Sequence, residues 1–472
     1  MTLKPADDAF ATRLKSLLPD ARIEMAEARY LEEPRGIMTG VGGLVVRPRT
    51  TEEVATAVKA AGEARVGVIP YGGGTGLVGG QVNPVGPAPM LLSLERMTKL
   101  REVYADEKAL VAEAGMTIEA IQNAADDAGQ LFALSYASKG TATIGAGLSV
   151  NSGGLNVLRY GTARAQCLGV EAVLPDGSVY NGLKRLRKDN TGYDLKNLLI
   201  GSEGTLGIIT AASLALQPKP ARRATAFLAV RDPAAALTLL SRLRHEVGEA
   251  VSAFELVSST ALGFLATHFP DLRQPFDDAP PWSVLVEIGT GPATDPSAAL
   301  EKVFAALLEE DLVTDGQMAQ SDAQRDHFWT LRETIPAANR AVGAVASHDI
   351  ALPLGAVAEF MTTTEPKVTA LGALQVNAFG HLGDGNLHFN VFPAKGVTKA
   401  EVLHLRPEVT RLVHDQAAAF GGVFSAEHGV GRFKVGEAQR YGDPARLAAM
   451  RAIKGALDPL GIMNPGAVLP AD

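Results

Sequence analysis

The pattern of apolar and polar positions near the start of the chain predicts short strands, glycine-rich loops and one well-capped helix. Residues 44–46 form a short apolar run that predicts a buried strand. Thr50 and Glu53 follow at the spacing of a capping box, so we expect a helix to begin there. The run ARVGVIP predicts a second strand, which leads directly into a glycine-rich segment. Between residues 107 and 180 the pattern predicts short strands that alternate with glycine-rich turns.

The texture of the sequence changes near residue 218. Two prolines and a charged cluster follow in QPKPARRATAFLAV, and an Ala/Leu-rich run over 233–245 predicts a long helix. Another helix is predicted over 443–458, before the Pro- and Gly-bounded tail LGIMNPGAVLP. We therefore expect a domain boundary near 218, in keeping with a chain of 472 residues, which is long enough for about two or three domains.

The composition excludes several functional classes. The formal net charge is −8, whereas non-specific binding of nucleic acid needs a cationic surface. The single cysteine, Cys167, cannot form an intrachain disulfide, a four-cysteine zinc site or an iron–sulfur cluster. The sequence shows neither a secretory signal pattern nor an apolar run of about 18 residues. We expect a cytoplasmic protein that binds no nucleic acid, and peripheral contact with the inner face of a membrane stays open.

The first of three glycine clusters is YGGGTGLVGG. Gly74, Gly76 and Gly79 match the spacing of the Rossmann dinucleotide fingerprint, but that fingerprint requires a helix directly afterwards. Three prolines between residues 84 and 89 make such a helix untenable, so we reject the Rossmann interpretation. Two alternatives remain: a loop whose successive backbone N–H groups bind an anion such as a diphosphate, or a flexible hairpin loop without a ligand.

Two further glycine clusters follow along the chain. GTATIGAGLSVNSGG, residues 140–154, alternates glycines with small hydroxyl residues, which suits either a backbone lying flat on a planar ligand or tight packing against a strand. GSEGTLGIIT, residues 201–210, ends in a β-branched run that predicts a strand. Cys167 lies in an apolar run between these clusters, so we expect it in the core.

All nine histidines lie at or beyond His245, and three of them fall in two compact motifs. In HLGDGNLHFN the Asp-Gly pair predicts a tight turn between two strands, so we expect His381 and His388 side by side. SAEHGVGR supplies Glu427 and His428 in a glycine-rich bend. Two histidines and one glutamate are a common ligand set for a catalytic divalent metal. The alternative is a set of structural histidines held by hydrogen bonds.

Taken together and in this order, PYGGGTGL, GTATIGAGLSVNSGG, VEAVLPDG and LLIGSEGTLGIIT resemble the FAD-binding domain of the vanillyl-alcohol oxidase / p-cresol methylhydroxylase flavoproteins. The resemblance implies that the first loop holds the FAD pyrophosphate, the second region lines the flavin and the third contacts the adenine side. The positions that it assigns to FAD are Gly72, Gly73, Gly74, Thr75, Gly76, Leu77, Ser138, Thr143, Gly145, Gly147, Asn151, Gly204 and Ile209. The first 244 residues contain no histidine, which excludes a histidyl link from this domain, so we expect non-covalent FAD.

The histidine motifs narrow this resemblance. HLGDGNLHFNV and SAEHGVGR, together with the FAD motifs, are similar to the D-2-hydroxy acid dehydrogenase branch, and the similarity runs from about residue 40 to the final MNPGAVLP. It implies FAD-dependent oxidation of a D-2-hydroxy acid, of the D-2-hydroxyglutarate or D-lactate type, to the 2-oxo acid, with hydride passing from C2 to flavin N5. The implied roles are a divalent metal, zinc, on His381, His388 and Glu427; a general base at His428; substrate contacts from Arg332 and Asn390; and a flavin contact from Asn464.

One position departs from the hydroxyglutarate-type members of that branch. These usually carry a lysine two residues before the Asp of a K-x-D strand, where it helps to hold the far carboxylate of the substrate. Here Ser347 stands two residues before Asp349, as in lactate-type members. We keep Ser347 as a substrate-binding candidate, and the departure argues against a strict preference for a dicarboxylate. Arg332 and His348 are the cationic candidates that remain.

The resemblance also implies an α+β architecture. Residues 1–218 would form a two-subdomain FAD-binding domain of p-cresol methylhydroxylase type, residues 219–424 a substrate cap domain with an antiparallel sheet, and residues 425–472 a segment that returns to the FAD domain. We expect a homodimer whose electron acceptor is a quinone, an electron-transfer flavoprotein or a cytochrome. Two alternatives stay open: a flavin subunit of a glycolate-oxidase-like complex, and a metallohydrolase whose glycine loops bind a phosphate.

Overall fold

The computed structural model describes residues 2–471. The helices are α1 (Asp8–Leu17), α2 (Ala28–Leu31), α3 (Thr51–Ala64), α4 (Ile118–Asp127), α5 (Ile144–Val150), α6 (Val157–Tyr160), α7 (Leu195–Leu199), α8 (Pro233–Val247), α9 (Ser259–His268), α10 (Pro296–Glu309), α11 (Asp322–Val342), α12 (Leu354–Thr369), α13 (Lys399–Val402), α14 (Arg406–Ala419), α15 (Val435–Tyr441) and α16 (Pro444–Leu457). The strands are β1 (Arg22–Met25), β2 (Leu44–Arg47), β3 (Val68–Tyr71), β4 (Met90–Ser93), β5 (Leu100–Tyr104), β6 (Ala109–Glu113), β7 (Gln130–Leu131), β8 (Cys167–Val173), β9 (Val179–Gly182), β10 (Ile208–Ala215), β11 (Gln217–Pro218), β12 (Arg222–Val230), β13 (Val251–Ser258), β14 (Trp282–Thr290), β15 (Val313–Met318), β16 (Ala346–Ala351), β17 (Leu374–Gly380) and β18 (Asn386–Pro393). Within residues 2–471, no helix combines the length and the apolar character needed to cross a bilayer.

The chain divides into two compact units, and the first is assembled from residues 1–153, 161–219 and 427–472. It contains a four-stranded sheet in the order β1-β2-β4-β3, in which β4 runs parallel to both neighbours. It also contains a five-stranded antiparallel sheet in the order β5-β6-β10-β8-β9. Each sheet packs its own apolar core, against α1 and α3 in the first case and against α4 and α5 in the second. The unit therefore has two subdomains.

Local sequence explains where α3 begins. The hydroxyl of Thr50 accepts a hydrogen bond from the backbone N–H of Glu53, as the spacing predicts. The Glu53 carboxylate accepts instead from the N–H of Arg49, so the reciprocal half of the capping box does not form. After the first glycine cluster, residues 81–89 contain no helix, in agreement with the rejection of a Rossmann fingerprint.

The prediction that residues 107–180 alternate strands with turns was wrong, because α4 and α5 lie within this range. Thr117 caps α4 by accepting a hydrogen bond from the N–H of Ala120. α5 contains two glycines, which intrinsic helix propensity disfavours. Tertiary packing decides the outcome, because a Cβ on Gly145 would lie 2.6 Å from the Cβ of Ala114. Glycine here permits a close approach between a helix and the chain beside it.

The second unit comprises residues 154–160 and 220–426, and its centre is a seven-stranded antiparallel sheet in the order β15-β12-β14-β13-β17-β18-β16. One face of the sheet packs against α8, α10, α12 and α14 and forms the largest apolar core. The opposite face carries α9 and α11, with an aromatic cluster between them and the sheet. The antiparallel sheet with helices agrees with the expected cap domain.

Residues 154–160 belong to the second unit, although the chain of the first unit flanks them on both sides. Leu158 packs so closely on Gly383 that a Cβ there would lie 2.6 Å away. The Arg159 guanidinium donates to the backbone carbonyl of Gly289. From the sequence, this segment was expected to belong to the FAD-binding domain, residues 1–218. Its contacts with residues distant in the sequence cannot be inferred from the local pattern of apolar and polar residues. The chain passes from one unit to the other at residues 153/154, 160/161, 219/220 and 426/427.

Candidate active site

The loop from Gly72 to Leu77 follows the end of β3 and is half-buried apart from Gly76. Within the described part of the chain, none of its six backbone N–H groups donates a hydrogen bond to another protein atom. Gly74 has φ = +71°, a conformation that favours glycine. Successive unpaired N–H groups in such a loop form a concave anion-binding surface. The loop therefore fits the diphosphate of a dinucleotide-type cofactor.

The first two glycines of this loop also have a packing role. A Cβ on Gly72 would lie 2.6 Å from the Cβ of Ala146, and a Cβ on Gly73 would lie 2.1 Å from the carbonyl oxygen of Thr141. The first and second glycine clusters therefore lie against each other in the first unit. For these two positions, backbone packing alone requires glycine, with or without a ligand.

The second cluster is built around α5. Thr143 is buried at the start of this helix, and Asn151 ends it in a left-handed conformation while its side chain accepts a hydrogen bond from the N–H of Arg164. Gly147 faces Tyr136, whose hydroxyl would lie 3.0 Å from a Cβ placed there. Burial raises the pKa of Tyr136 to about 12, so its phenol keeps its proton at physiological pH. Sequence reasoning did not single out this tyrosine.

Three other residues assigned to FAD occupy structural positions. The carbonyl of Ser138 accepts hydrogen bonds from two N–H groups in the turn before α5. Gly204, with φ = +71°, packs directly on Pro70 at the end of β3. The Ile209 side chain lies in the apolar core of the five-stranded sheet, which leaves its backbone as the part that can face a ligand. Cys167 is buried, as expected, and burial raises the pKa of its thiol to about 12.

Glu203 is a buried carboxylate that the sequence motifs did not single out. Its two carboxylate oxygens accept hydrogen bonds from the N–H groups of Val430, at 2.7 Å, and Gly431, at 2.8 Å. These two residues belong to the bend that carries His428. Burial raises the pKa of Glu203, although the two N–H donors and nearby cations oppose this shift. Glu203 thus fixes the bend from a strand connection more than two hundred residues earlier in the sequence.

Arg432 and Asn464 connect the C-terminal segment to the first glycine cluster. Arg432 donates to the carbonyls of Gly79 and Gly80 through Nη1, and to the Asn464 side-chain oxygen at 2.8 Å through Nη2. The Asn464 amide in turn donates to the carbonyl of Glu203. Both ends of the Asn464 side chain are therefore engaged within the protein, and a flavin contact from it stays a prediction.

The histidine hairpin lies in the second unit. β17 and β18 pair in antiparallel register, and a 3₁₀ turn over Leu382–Asp384 joins them. The rings of His381 and His388 are 5.6 Å apart, centroid to centroid, and one nitrogen of each lies within 4.8 Å of the other. The turn dipeptide thus brings the two imidazoles side by side, close enough to share one cation.

Glu255 is a second buried carboxylate beside the candidate residues that the sequence motifs did not single out. Its Oε1 is 2.7 Å from Nδ1 of His381, and its Oε2 accepts a hydrogen bond from Nε of Arg332 at 2.8 Å and lies 2.6 Å from Nη2 of the same guanidinium. Burial alone would raise the pKa of Glu255, but His381 and Arg332 more than offset this and hold it at about 2. The carboxylate is therefore ionised at neutral pH, and Arg332 is its buried counterion.

Arg332 was predicted to hold a substrate carboxylate, and its side chain is only 5% exposed. Its Nε is used by Glu255, and its guanidinium carbon lies 4.9 Å from the centre of the Phe379 ring. The Nη1 side of the guanidinium has no partner among the described residues. That side is the part of Arg332 that can meet a substrate.

Side chains alternate between the two faces of the sheet along β16 and β18, which divides the remaining candidate residues into two groups. Ser347 and Asn390 are paired across the two strands, and Asp349 is paired with His388, so all four share the face that carries the histidines. His348 points to the opposite face, where its ring is 5.3 Å from that of His414 on α14. His348 is therefore excluded as a cationic contact for the substrate, which corrects the expectation from sequence.

Glu427 and His428 begin the returning segment of the first unit. Glu427 directly follows Ala426, the last residue of the second unit, whose N–H donates to the carbonyl of Asp349. The closest nitrogen and oxygen of His428 and Glu427 are 3.6 Å apart. Both side chains are partly accessible.

Comparisons with known proteins match most of the chain. A family model described as "FAD linked oxidases, C-terminal domain" matches residues 219–468, and one described as "FAD binding domain" matches residues 43–182. The mitochondrial D-2-hydroxyglutarate dehydrogenase of Arabidopsis thaliana is 36% identical over 449 residues, which cover 95% of this chain and 78% of that protein. Its counterpart in Bos taurus is 38% identical over 432 residues, or 91% of this chain and 77% of that protein.

The fold has solved counterparts. A crystal structure of p-cresol methylhydroxylase with bound substrate superposes with a TM-score of 0.75 over 100% of this chain and 99% of that chain, at 16% identity. At this identity the likeness concerns the fold alone. It confirms the α+β architecture with an FAD-binding domain of p-cresol methylhydroxylase type, and with it the exclusion of a Rossmann fold.

Proposed function

The chain belongs to the family of FAD-linked oxidases, and from this premise we propose that it oxidises a D-2-hydroxy acid to the corresponding 2-oxo acid. The observation that carries the proposal is that one chain contains both an unpaired glycine loop suited to FAD and the His381/His388 hairpin suited to a metal. Relatives at 36% and 38% identity are named D-2-hydroxyglutarate dehydrogenases, which makes that diacid the first substrate to test.

FAD is held non-covalently, with its pyrophosphate on the N–H groups of residues 72–77. Support comes from the half-buried, unpaired donors of this loop and from the absence of histidine in the first 244 residues. When bound, FAD supplies the acceptor for the hydride from C2 of the substrate. The other contacts in this proposal come from Ser138, Thr143, Gly145, Gly147, Asn151, Gly204, Ile209 and Asn464.

His381, His388 and Glu427 hold a divalent cation, with zinc as the first candidate. Two imidazole nitrogens within 4.8 Å of each other, followed along the chain by a carboxylate, are donors that zinc accepts readily. When bound, such a cation lowers the pKa of a hydroxyl group attached to it. His428 takes the hydroxyl proton on an imidazole nitrogen, since histidine is the side chain that most often acts as a general base.

The substrate carboxylate next to C2 meets the Nη1 side of Arg332, and Asn390 and Ser347 contact the rest of the molecule. Support comes from the register of β16 and β18, which places Asn390 and Ser347 on the face that carries His388. Ser347 brings a hydroxyl and no charge, so a D-lactate-type monoacid remains a substrate candidate beside the diacid.

The remaining parts of the proposal concern partners and location. The reduced flavin passes its electrons to a quinone, an electron-transfer flavoprotein or a cytochrome. The protein is a homodimer in the cytoplasm, and peripheral contact with the membrane is the alternative location. The alternative of a flavin subunit in a glycolate-oxidase-like complex predicts that the lone chain is inactive. The family match gives no support to the metallohydrolase alternative.

The test is anaerobic reduction of the bound flavin, followed as loss of its visible absorption. D-2-hydroxyglutarate, D-lactate and their L-enantiomers are each added with and without a chelator. We expect rapid reduction by one D-acid, slower reduction after chelation, and recovery with Zn²⁺. We expect His428→Ala to slow reduction by about 100-fold or more, because a positioned base contributes about that factor. The exposed His268→Ala is the matched control.

Two outcomes would contradict the proposal. A flavin-loaded protein that neither D-acid reduces would contradict oxidation of these acids by the lone chain and would favour the flavin-subunit alternative. Equal rates of flavin reduction in the His428→Ala variant and the wild type would contradict the general-base role of His428. They would not contradict the proposed substrate class.

A further inference from the structure

Glu255 has a geometry that the proposed reaction does not itself require. It lies on β13, one residue before Leu256, which is paired with Gly380 at the end of β17, and His381 is the next residue. Glu255 is 1% exposed and makes hydrogen bonds through both oxygens. One oxygen serves His381 and the other serves Arg332, so the carboxylate is a bridge between a helix and the hairpin.

The bridge determines which nitrogen of His381 can bind a cation. The Glu255 carboxylate is paired with the Arg332 guanidinium and acts as a hydrogen-bond acceptor, so the nitrogen facing it, Nδ1 of His381, carries the proton. In a neutral imidazole the other nitrogen, Nε2, then presents its lone pair. Histidines that bind metals commonly donate their second N–H to a carboxylate in this way.

The surroundings fix the positions of the two imidazoles as well. The Phe379 ring lies 5.0 Å from the ring of His388, centroid to centroid, and 4.9 Å from the guanidinium carbon of Arg332. Phe379 itself packs in the aromatic cluster between the sheet and α9 and α11. Arg332, Phe379 and Glu255 therefore back both histidines with buried groups that have little freedom to move.

We infer that Glu255 is a positioning residue, which holds His381 with Nε2 directed at a divalent cation, and that the principal role of Arg332 is to neutralise Glu255. This inference rests on the proposed metal site. It goes beyond the proposed function by assigning a task to Glu255, which the proposed reaction does not use, and a second task, beside substrate binding, to Arg332. It also limits the part of Arg332 in substrate binding to the Nη1 side.

The experiment measures metal affinity rather than turnover. Metal-free holoenzyme, with FAD bound, is titrated with Mn²⁺, and free Mn²⁺ is counted by electron paramagnetic resonance. We expect Glu255→Gln to weaken binding by about 10- to 100-fold, the range seen when a carboxylate behind a metal-binding histidine is removed. The control is Glu287→Gln on the neighbouring strand β14, whose carboxylate accepts from the indole N–H of Trp329; its affinity should equal that of the wild type.

A double variant separates positioning from stability. Glu255→Gln alone leaves Arg332 buried without its counterion, which destabilises the fold. Glu255→Gln combined with Arg332→Met removes that charge, so we expect the melting temperature to recover while the Mn²⁺ affinity stays low. Recovery of both would show that Glu255 serves stability only and would overturn the inference.

The two proposals fail in different ways. If wild-type holoenzyme binds no Mn²⁺ or Zn²⁺, the metal part of the proposed function fails, and this inference fails with it. If the wild type binds one cation and Glu255→Gln binds it with equal affinity, only the positioning role is overturned.

Discussion

Glu203 holds the bend that carries His428 through two backbone hydrogen bonds. The N–H groups of Val430 and Gly431 donate to different oxygens of Glu203. Only a carboxylate side chain supplies two such acceptors side by side. A glutamine of the same shape keeps one acceptor and turns an N–H₂ group towards the second donor. One partly buried N–H then loses its partner, and such a loss costs about 1–3 kcal/mol.

We therefore predict that Glu203→Gln lowers the urea concentration at which the flavin is released. The loss should correspond to about 1–3 kcal/mol and should be accompanied by slower substrate oxidation, because His428 is less firmly placed. Asp106→Asn, an exposed change of acid to amide in the same unit, is the control and should leave the midpoint unaltered. An unchanged midpoint in Glu203→Gln would show that the bend is held by other contacts.

The sequence predicted the neighbours of some candidate residues but not of others. His381 and His388 were predictable as neighbours because seven positions and a tight turn separate them. Glu255 and Glu203 were not, since their partners lie 126 and 227 residues away and a glutamate in a strand or loop has no local signature. Arg332 was singled out as a carboxylate-binding residue, which stays a prediction, and its buried counterion could not be read from its own motif.

At the scale of elements, the first glycine loop and α5 are one packed assembly. Gly73→Ala would place a Cβ 2.1 Å from the carbonyl oxygen of Thr141, so the loop must move away from α5. We predict that this variant is purified with less than half of the FAD content of the wild type, measured as flavin released per protein chain. Gly42→Ala, where a Cβ meets no atom within 4 Å, is the control and should retain full FAD content.

Elements that depend only on residues close together in the sequence were predicted correctly. They include α3 with its Thr50 cap and the β17–β18 hairpin. α4 was missed although Thr117 caps it, because glycine-rich turns on either side dominated the interpretation of the pattern. α5 could not be predicted by propensity at all. Its two glycines weaken an isolated helix, and only the chain packed around it favours the helical form.

At the scale of the whole molecule, the C-terminal segment completes the first unit. Ile462 and Met463 are fully buried in the core of the four-stranded sheet. Lys454 donates to the carbonyl of Thr205, and Arg432 to those of Gly79 and Gly80. We predict that a chain ending at Ala426 binds no FAD, because both the core and the support of the glycine loop are lost.

Flavin absorbance per chain after purification checks this prediction. A chain ending at Pro470 serves as the control, because it lacks only the last two residues, and it should be fully yellow. A chain ending at Ala426 that retained one FAD per molecule would show that the loop folds without the returning segment. The change of texture near 218 was visible in the sequence, whereas the placement of residues 154–160 in the second unit depends on contacts that no local pattern encodes.

The three-segment construction of the first unit has a consequence for biosynthesis. Translation proceeds from the N-terminus at about 5–20 residues per second, so residues 1–219 leave the ribosome well before residues 427–472. Residues 220–426 complete the second unit as they emerge, because its early segment, 154–160, has already been made. Until residues 427–472 emerge, the core of the first unit lacks Ile462 and Met463, and part of its apolar surface stays exposed. We therefore expect FAD to be loaded only after residues 427–472 have left the ribosome, and we expect the exposed apolar surface to favour chaperone binding until then.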